Sequence, residues 1–64
     1  MAKWIMEIKI NGNWVAIKAS HTTVPYMYDT KIEAEQMLRT CYPDQMVEQR
    51  LSGEEFGRVR ELDV

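Results

Sequence analysis

Apolar and polar residues alternate with a period of two near the start of the chain. Trp4, Met6, Ile8 and Ile10 alternate with Ile5, Glu7 and Lys9, Asn11-Gly12 intervenes, and Val15, Ile17 and Ala19 then alternate with Trp14, Ala16 and Lys18. Two such runs broken by Asn-Gly predict a β-hairpin, because a type I′ turn needs positive φ at both central positions, which Asn tolerates and Gly adopts freely. The turn sets the register: Ile10 opposite Asn13, Ile8 opposite Val15, Met6 opposite Ile17 and Trp4 opposite Ala19. One face of the hairpin is then apolar throughout.

Beyond residue 20 the alternation stops. Ser20-His21-Thr22-Thr23-Val24-Pro25 reads as an irregular connection, and Tyr26-Met27-Tyr28 is long enough for a short edge strand. Thr30-Lys31-Ile32-Glu33 has the S/T-x-x-E form that satisfies orphan backbone donors at a helix start. Ala34, Met37, Leu38 and Cys41 follow at the i, i+3, i+4, i+7 spacing of one buried face, with Glu35 and Arg39 at a favourable i, i+4 order outside. Tyr42-Pro43 stops the helix, since the residue before proline is pushed out of the α region. Residues 46–51 and 56–62 read as two further strands joined by Ser52-Gly53-Glu54-Glu55. Pairing across that loop sets Gln49 opposite Arg58 and Val47 opposite Arg60, with Gly57 a candidate bulge. The expected fold is a single α+β domain over residues 1–64, a ββαββ unit with one helix on one face of an antiparallel sheet.

Composition narrows the chemistry. The 64 residues are 45% hydrophobic and 28% charged, as in an ordinary globular domain. A chain of this length buries only about 60% of the surface its unfolded form exposes, so stability is expected to be marginal. One cysteine and one histidine exclude an internal disulfide framework and leave too few soft ligands for zinc. No phosphate-cradling glycine loop or metal-ligand motif is present, so no cofactor is expected. The lack of a long apolar run and of a signal-peptide stretch points to a cytoplasmic protein with no membrane association. A formal net charge of −2 selects neither nucleic acid nor its mimicry.

Catalysis is not expected. His21 has no serine or cysteine pattern beside it, and Cys41 falls on the apolar helix face as an inert core thiol. Binding is better supported. The second face of the hairpin carries Ile5, Lys9, Trp14 and Lys18, and the register sets Trp14 beside Lys9. Trp14 either lies on the lysine stem or under the last hairpin, or belongs with Ile5 to a contact patch, since aromatics concentrate in interface cores. Ile32 lies roughly 160° around the helix from Ala34, by about 100° per residue, and faces water. With Gln36 and Arg39 it is a second candidate contact for a partner or another copy. Tyr26, Tyr28 and Tyr42 flank the helix ends as core-rim residues. Arg50, Arg58 and Arg60, interleaved with glutamates, read as solvated cross-strand ion pairs.

The run Tyr28-Asp29-Thr30-Lys31-Ile32-Glu33-Ala34-Glu35-Gln36-Met37-Leu38-Arg39, continuing to Cys41-Tyr42-Pro43-Asp44-Gln45, resembles a phrase in small uncharacterised proteins of tailed phages, especially those infecting cyanobacteria. The resemblance covers about a quarter of the chain and implies a short phage-encoded protein, made in the host cytoplasm, that binds and redirects a host protein. The order strand, Asn-Gly turn, strand, connection and Asp-Thr-Lys-x-Glu-Ala is also similar to the arm-binding domains of phage integrases, which lay a sheet in the DNA major groove. On that likeness Lys9, Trp14 and Lys18 would face DNA, but Glu7 on the same face and the net negative charge would neutralise phosphate poorly. The expectation is therefore a non-enzymatic binder of a host protein, with a small nucleic-acid-binding module second and a structural homodimer third.

Overall fold

The computed structural model describes residues 2–63 and contains an antiparallel sheet of four strands with two helices, an α+β arrangement. The elements are β1 (Ala2–Ile10), β2 (Asn13–Ala16), β3 (Met27–Tyr28), α1 (Lys31–Cys41), α2 (Pro43–Ser52) and β4 (Gly57–Asp63). The Asn-Gly turn forms as its chemistry dictates, with φ of 51° at Asn11 and 83° at Gly12. Ile10 lies opposite Asn13 and Ile8 opposite Val15. Ile17 N–H still donates to the Met6 carbonyl, but the hairpin then ends and Trp4 pairs with Tyr28 rather than Ala19. The chain leaves β1 at Ile17, turns through His21 at positive φ, and returns as β3, tied by a Lys18–Pro25 bridge.

β1 is the centre of the sheet. Trp4 and Ile5 pair with both β3 and β4, and Glu7 and Ile8 pair with both β2 and β4. A strand has two edges, so β4 holds one edge of β1 from Ala2 to Ile8 while β2 and β3 share the other.

The helix start is the one expected: Thr30 Oγ1 accepts from Glu33 N–H at 3.2 Å and donates to the Glu33 carboxylate at 3.0 Å. Its buried line is narrower than expected. Ala34 and Leu38 are buried, whereas Met37 is 38% exposed and Cys41 is exposed, not a core thiol. An eleven-residue helix crossing one small sheet touches it along a single i, i+4 row.

Residues 46–51 are helix, not strand, and the last hairpin does not form. Tyr42 ends α1, and Pro43 then opens α2, where its missing N–H costs nothing and its fixed φ is already helical. Gly53 closes α2 at φ 81°, its N–H donating to the Gln49 carbonyl, so it is a left-handed helix cap instead of a hairpin loop residue. Gln49 and Arg58 are not strand partners. The Gln49 side chain instead accepts from the N–H groups of Phe56 and Gly57 and steers the chain into β4. Gly57 is no bulge: it sits in register opposite Ile8, and a Cβ there would lie 3.2 Å from Leu38 Cδ2 and 3.1 Å from Met46 Sδ.

The core lies between the helices and one sheet face. Met6, Ala34 and Leu38 are fully buried, with Trp4, Ile8, Ile17, Tyr28, Tyr42, Met46 and Val59 packed around them. Tyr42 meets Phe56 edge-to-face at 5.3 Å, closing one end. At the hairpin tip the greasy side runs out from under the helices, leaving Ile10 and Val15 exposed.

Candidate functional site

The sheet face away from the helices holds the other half of each strand's alternation. β1 presents Lys3, Ile5, Glu7 and Lys9 there, β2 Trp14 and Ala16, β3 Met27, and β4 Arg58, Arg60 and Leu62, as the register requires. Lys18, exposed, continues the β2 row.

Although no helix covers this face, its centre is dry. Ile5 is 2% and Glu7 5% exposed, so Ile5 is not the surface contact expected of it. The reason is cross-strand: Ile5 lies between Arg60 and Met27, and Glu7 between Arg58 and Ala16, and long side chains from the flanking strands close over both.

Glu7 organises the surface above it. Its Oε1 accepts from Arg58 Nε at 2.8 Å and its Oε2 from Arg60 Nε at 3.1 Å. One sequestered carboxylate thus fixes two guanidiniums whose outer parts stay in water, with the arginine side chains 44% and 50% exposed. The Arg58 guanidinium carbon stands 4.2 Å from the Trp14 ring centroid, and Lys9 Nζ stands 5.4 Å from it. Trp14, half-buried, is therefore roofed by cations from two strands, which joins the lysine-stem and β4-cover readings of its environment. Lys9 also pairs with Glu55 at 3.1 Å, and Lys3 pairs with Asp29.

Each guanidinium carries five N–H donors, and only Nε–H of each is used by Glu7. The remaining donors of Arg58 and Arg60 point their charge outward in a fixed pose suited to carboxylate or phosphate oxygens. Arg58 and Arg60 do form cross-strand ion pairs, but with buried Glu7, 51 and 53 residues distant in the chain, and not with the interleaved glutamates Glu48, Glu54, Glu55 or Glu61, while Arg50 lies on α2 outside the sheet. The two-residue spacing of the arginines is visible in the sequence, but only the pairing of β4 with β1 sets them about Glu7.

The second candidate patch lies on α1. Ile32, Gln36 and Arg39 are all exposed, Ile32 at 66%. They are not continuous with the Trp14 surface, which lies beneath the sheet. Arg39 instead borders a shallow cleft shared with Pro43, Met46, Val47 and Arg50 of α2. The exposed α2 residues Val47 and Leu51 were hidden from sequence reasoning by the assignment of that segment to a strand. Among the described residues, no helix is long and apolar enough to cross a membrane.

No protein-family model matches this chain, and neither a curated protein nor a solved structure shows significant similarity to it.

Proposed function

We propose that this chain is a non-enzymatic binding module that engages a host protein through the helix-free face of its sheet, in keeping with its resemblance to small phage proteins. The observation that carries this reading is the cluster in which buried Glu7 holds Arg58 and Arg60 while Arg58 stacks on Trp14. Arginine and tryptophan are the residue types that dominate interface energetics. Guanidiniums already fixed in one pose lose little rotamer freedom on binding, which removes a cost of about 0.5 to 1.5 kcal/mol per ordered side chain.

The test is capture of a defined protein from a cyanobacterial host lysate, followed by measurement of its affinity for purified variants. Trp14→Ala should weaken binding at least tenfold with the fold intact by circular dichroism. Ile32→Asp should leave it unchanged. Retention of full affinity by Trp14→Ala would remove this face from the proposal.

Charge distribution favours a second reading, nucleic-acid binding by the same face. Residues 29–55 carry seven acidic and three basic side chains, whereas the rest of the chain carries five basic and three acidic ones. Lys3 and Lys9 are already paired, however, so Lys18, Arg58 and Arg60 are the cations left on this face, against Glu7. Neutralising about two phosphates gives a salt slope near −2, far shallower than that of a dedicated DNA-binding domain. A steep loss of duplex affinity with salt, abolished by Lys18→Glu, would reverse the preference.

A further inference from the structure

We infer that Arg58 and Arg60, held side by side by Glu7, form a receptor for one side-chain carboxylate of an acidic surface on the partner. The inference rests on the protein-binding reading above and specifies the chemistry of its contact. Both guanidiniums bond to oxygens of the same carboxylate, so two positive charges share one negative charge on the helix-free face. Each spends only Nε–H on Glu7, and among the described residues no acceptor takes the outer N–H groups. Both arginine side chains are about half in water, so a ligand reaches those groups from above the face without opening the fold.

The residue at position 7 supports a role beyond packing. Ile5 and Glu7 project from the same face of β1 and both are dry, so an apolar side chain is already accommodated one step along the row. A buried carboxylate carries a desolvation penalty that its ion pairs barely offset, and an apolar residue in its place is often neutral or stabilising. What Glu7 adds is a pose for two guanidiniums, and Arg58 is pinned a second time by the Trp14 ring. Glu7 is a positioning residue for the arginines that make the contact.

Charge selects the ligand. Glu7, Arg58 and Arg60 together carry one uncompensated positive charge, and the neighbouring Lys9 is already paired with Glu55. One carboxylate balances it, whereas a phosphate monoester, at about −1.5 to −2, exceeds it. The forked donors of arginine match carboxylate geometry. The wider distribution of charge orients an acidic surface toward this side. Lys3, Lys9, Lys18, Arg58 and Arg60 lie on the face against Glu7 alone, because Glu61 and Asp63 alternate to the helix side and the other seven acidic residues fall within residues 29–55, outside the strands. Asp29 and Glu55 reach back only to Lys3 and Lys9. Such complementarity steers encounter and fixes the docked orientation. A second copy of this chain also offers acidic helices, but docking them on this face is head to tail and leaves the same two surfaces free, so it propagates instead of closing. A separate acidic partner is the occupant.

The experiment titrates the isotope-labelled full chain with a blocked peptide, acetyl-Gly-Glu-Glu-Glu-Gly-amide, whose only carboxylates are on side chains, and follows magnetic resonance shifts. Saturable binding is expected, with shifts at the Nε–H of Arg58 and Arg60 and at the indole N–H of Trp14. The glutamine counterpart of the peptide should bind at least tenfold more weakly. Arg58→Lys combined with Arg60→Lys keeps both charges without the forked donors and should also lose at least tenfold. Glu7→Gln makes the chain more positive, so attraction by charge alone would tighten binding; loss of the pose weakens it, which is the result expected. The peptide comparison and the lysine variant stand whether or not Glu7→Gln folds. Equal binding of the two peptides, full affinity in the lysine variant or tighter binding by Glu7→Gln overturns the inference. So does inorganic phosphate that moves the same signals at a lower concentration than the peptide, or growth of the chain into open-ended assemblies in sedimentation. If the peptide fails to bind while Trp14→Ala still disrupts host-protein capture, the carboxylate receptor is wrong and the protein-binding reading survives. If a DNA duplex binds in its place and shifts Lys9, Trp14 and Lys18, both are wrong.

Discussion

Glu7 serves two arginines at once, and that sharing makes their contributions interdependent. Removing Arg58 leaves the carboxylate with Arg60, and removing Arg60 leaves it with Arg58. Because both guanidiniums are about half-exposed, each single alanine substitution should cost only about 1 kcal/mol. The double substitution strands a charge in a dry site and should cost about 3 kcal/mol or more, exceeding the two single effects together. Urea denaturation of the four proteins measures this, and strict additivity would mean that Glu7 is hydrated from another direction. Gly57 poses a different constraint. Leu38 is 2% exposed and cannot retreat from a new methyl group as the Met46 thioether can. Gly57→Ala should therefore destabilise by about 1 to 2 kcal/mol, lowering Tm by at least about 4 °C in a domain of this size. Neither feature was legible in the sequence. Period two places Ile5 and Glu7 on the face without a helix, but it does not reveal that arginines about fifty residues away will close over them.

At the scale of elements, structure set by neighbouring residues was legible and structure set by distant ones was not. Asn11-Gly12 fixes the hairpin tip and Thr30-Glu33 fixes the start of α1 through contacts within four residues. Thr30→Ala removes both hydroxyl contacts and should cost about 1 kcal/mol, read as a loss of thermal stability and of α1 ellipticity. Thr30→Asp should retain most of it, since a carboxylate also caps the helix dipole. The second helix was missed because Pro43 carries two meanings: it forbids helix before it and favours helix after it. Met46, Val47 and Leu51 fit a short apolar strand as well as a weakly amphipathic helix, and only the packing of Met46 on the core separates the two. Losing that strand changes the topology. Without a hairpin partner, β4 crosses back to the chain's first strand, and this places Arg58 and Arg60 over Glu7.

The whole molecule has a small interior, and its stability should be distributed accordingly. Among the described residues four apolar ones, Ile5, Met6, Ala34 and Leu38, are fully buried, and none of them lies on α2. Native-state amide exchange should therefore show β1 exchanging near the global unfolding free energy and α2 exchanging faster, through local opening. Uniform protection would mean that α2 unfolds only with the rest. The rim of the same core gives the molecule an alkaline limit. Tyr28 packs against Met6, Ala34 and Leu38, and its phenol is raised above the ordinary value of 10.0, first by burial and then by the negative charge that Cys41 and Tyr26 acquire on ionising. A raised folded-state value means that the native state holds the phenolic proton more tightly than the unfolded chain does. The resulting term leaves stability unaffected below pH 10 and diminishes it as pH rises from 10 through the higher folded value. Tyr28→Phe keeps the ring and deletes the ionisation. Its stability should fall less steeply than that of the parent protein above pH 10, while the two curves run parallel at neutral pH. Urea midpoints measured from pH 7 to 11 test this, and an identical alkaline decline in both proteins would assign the limit to other groups.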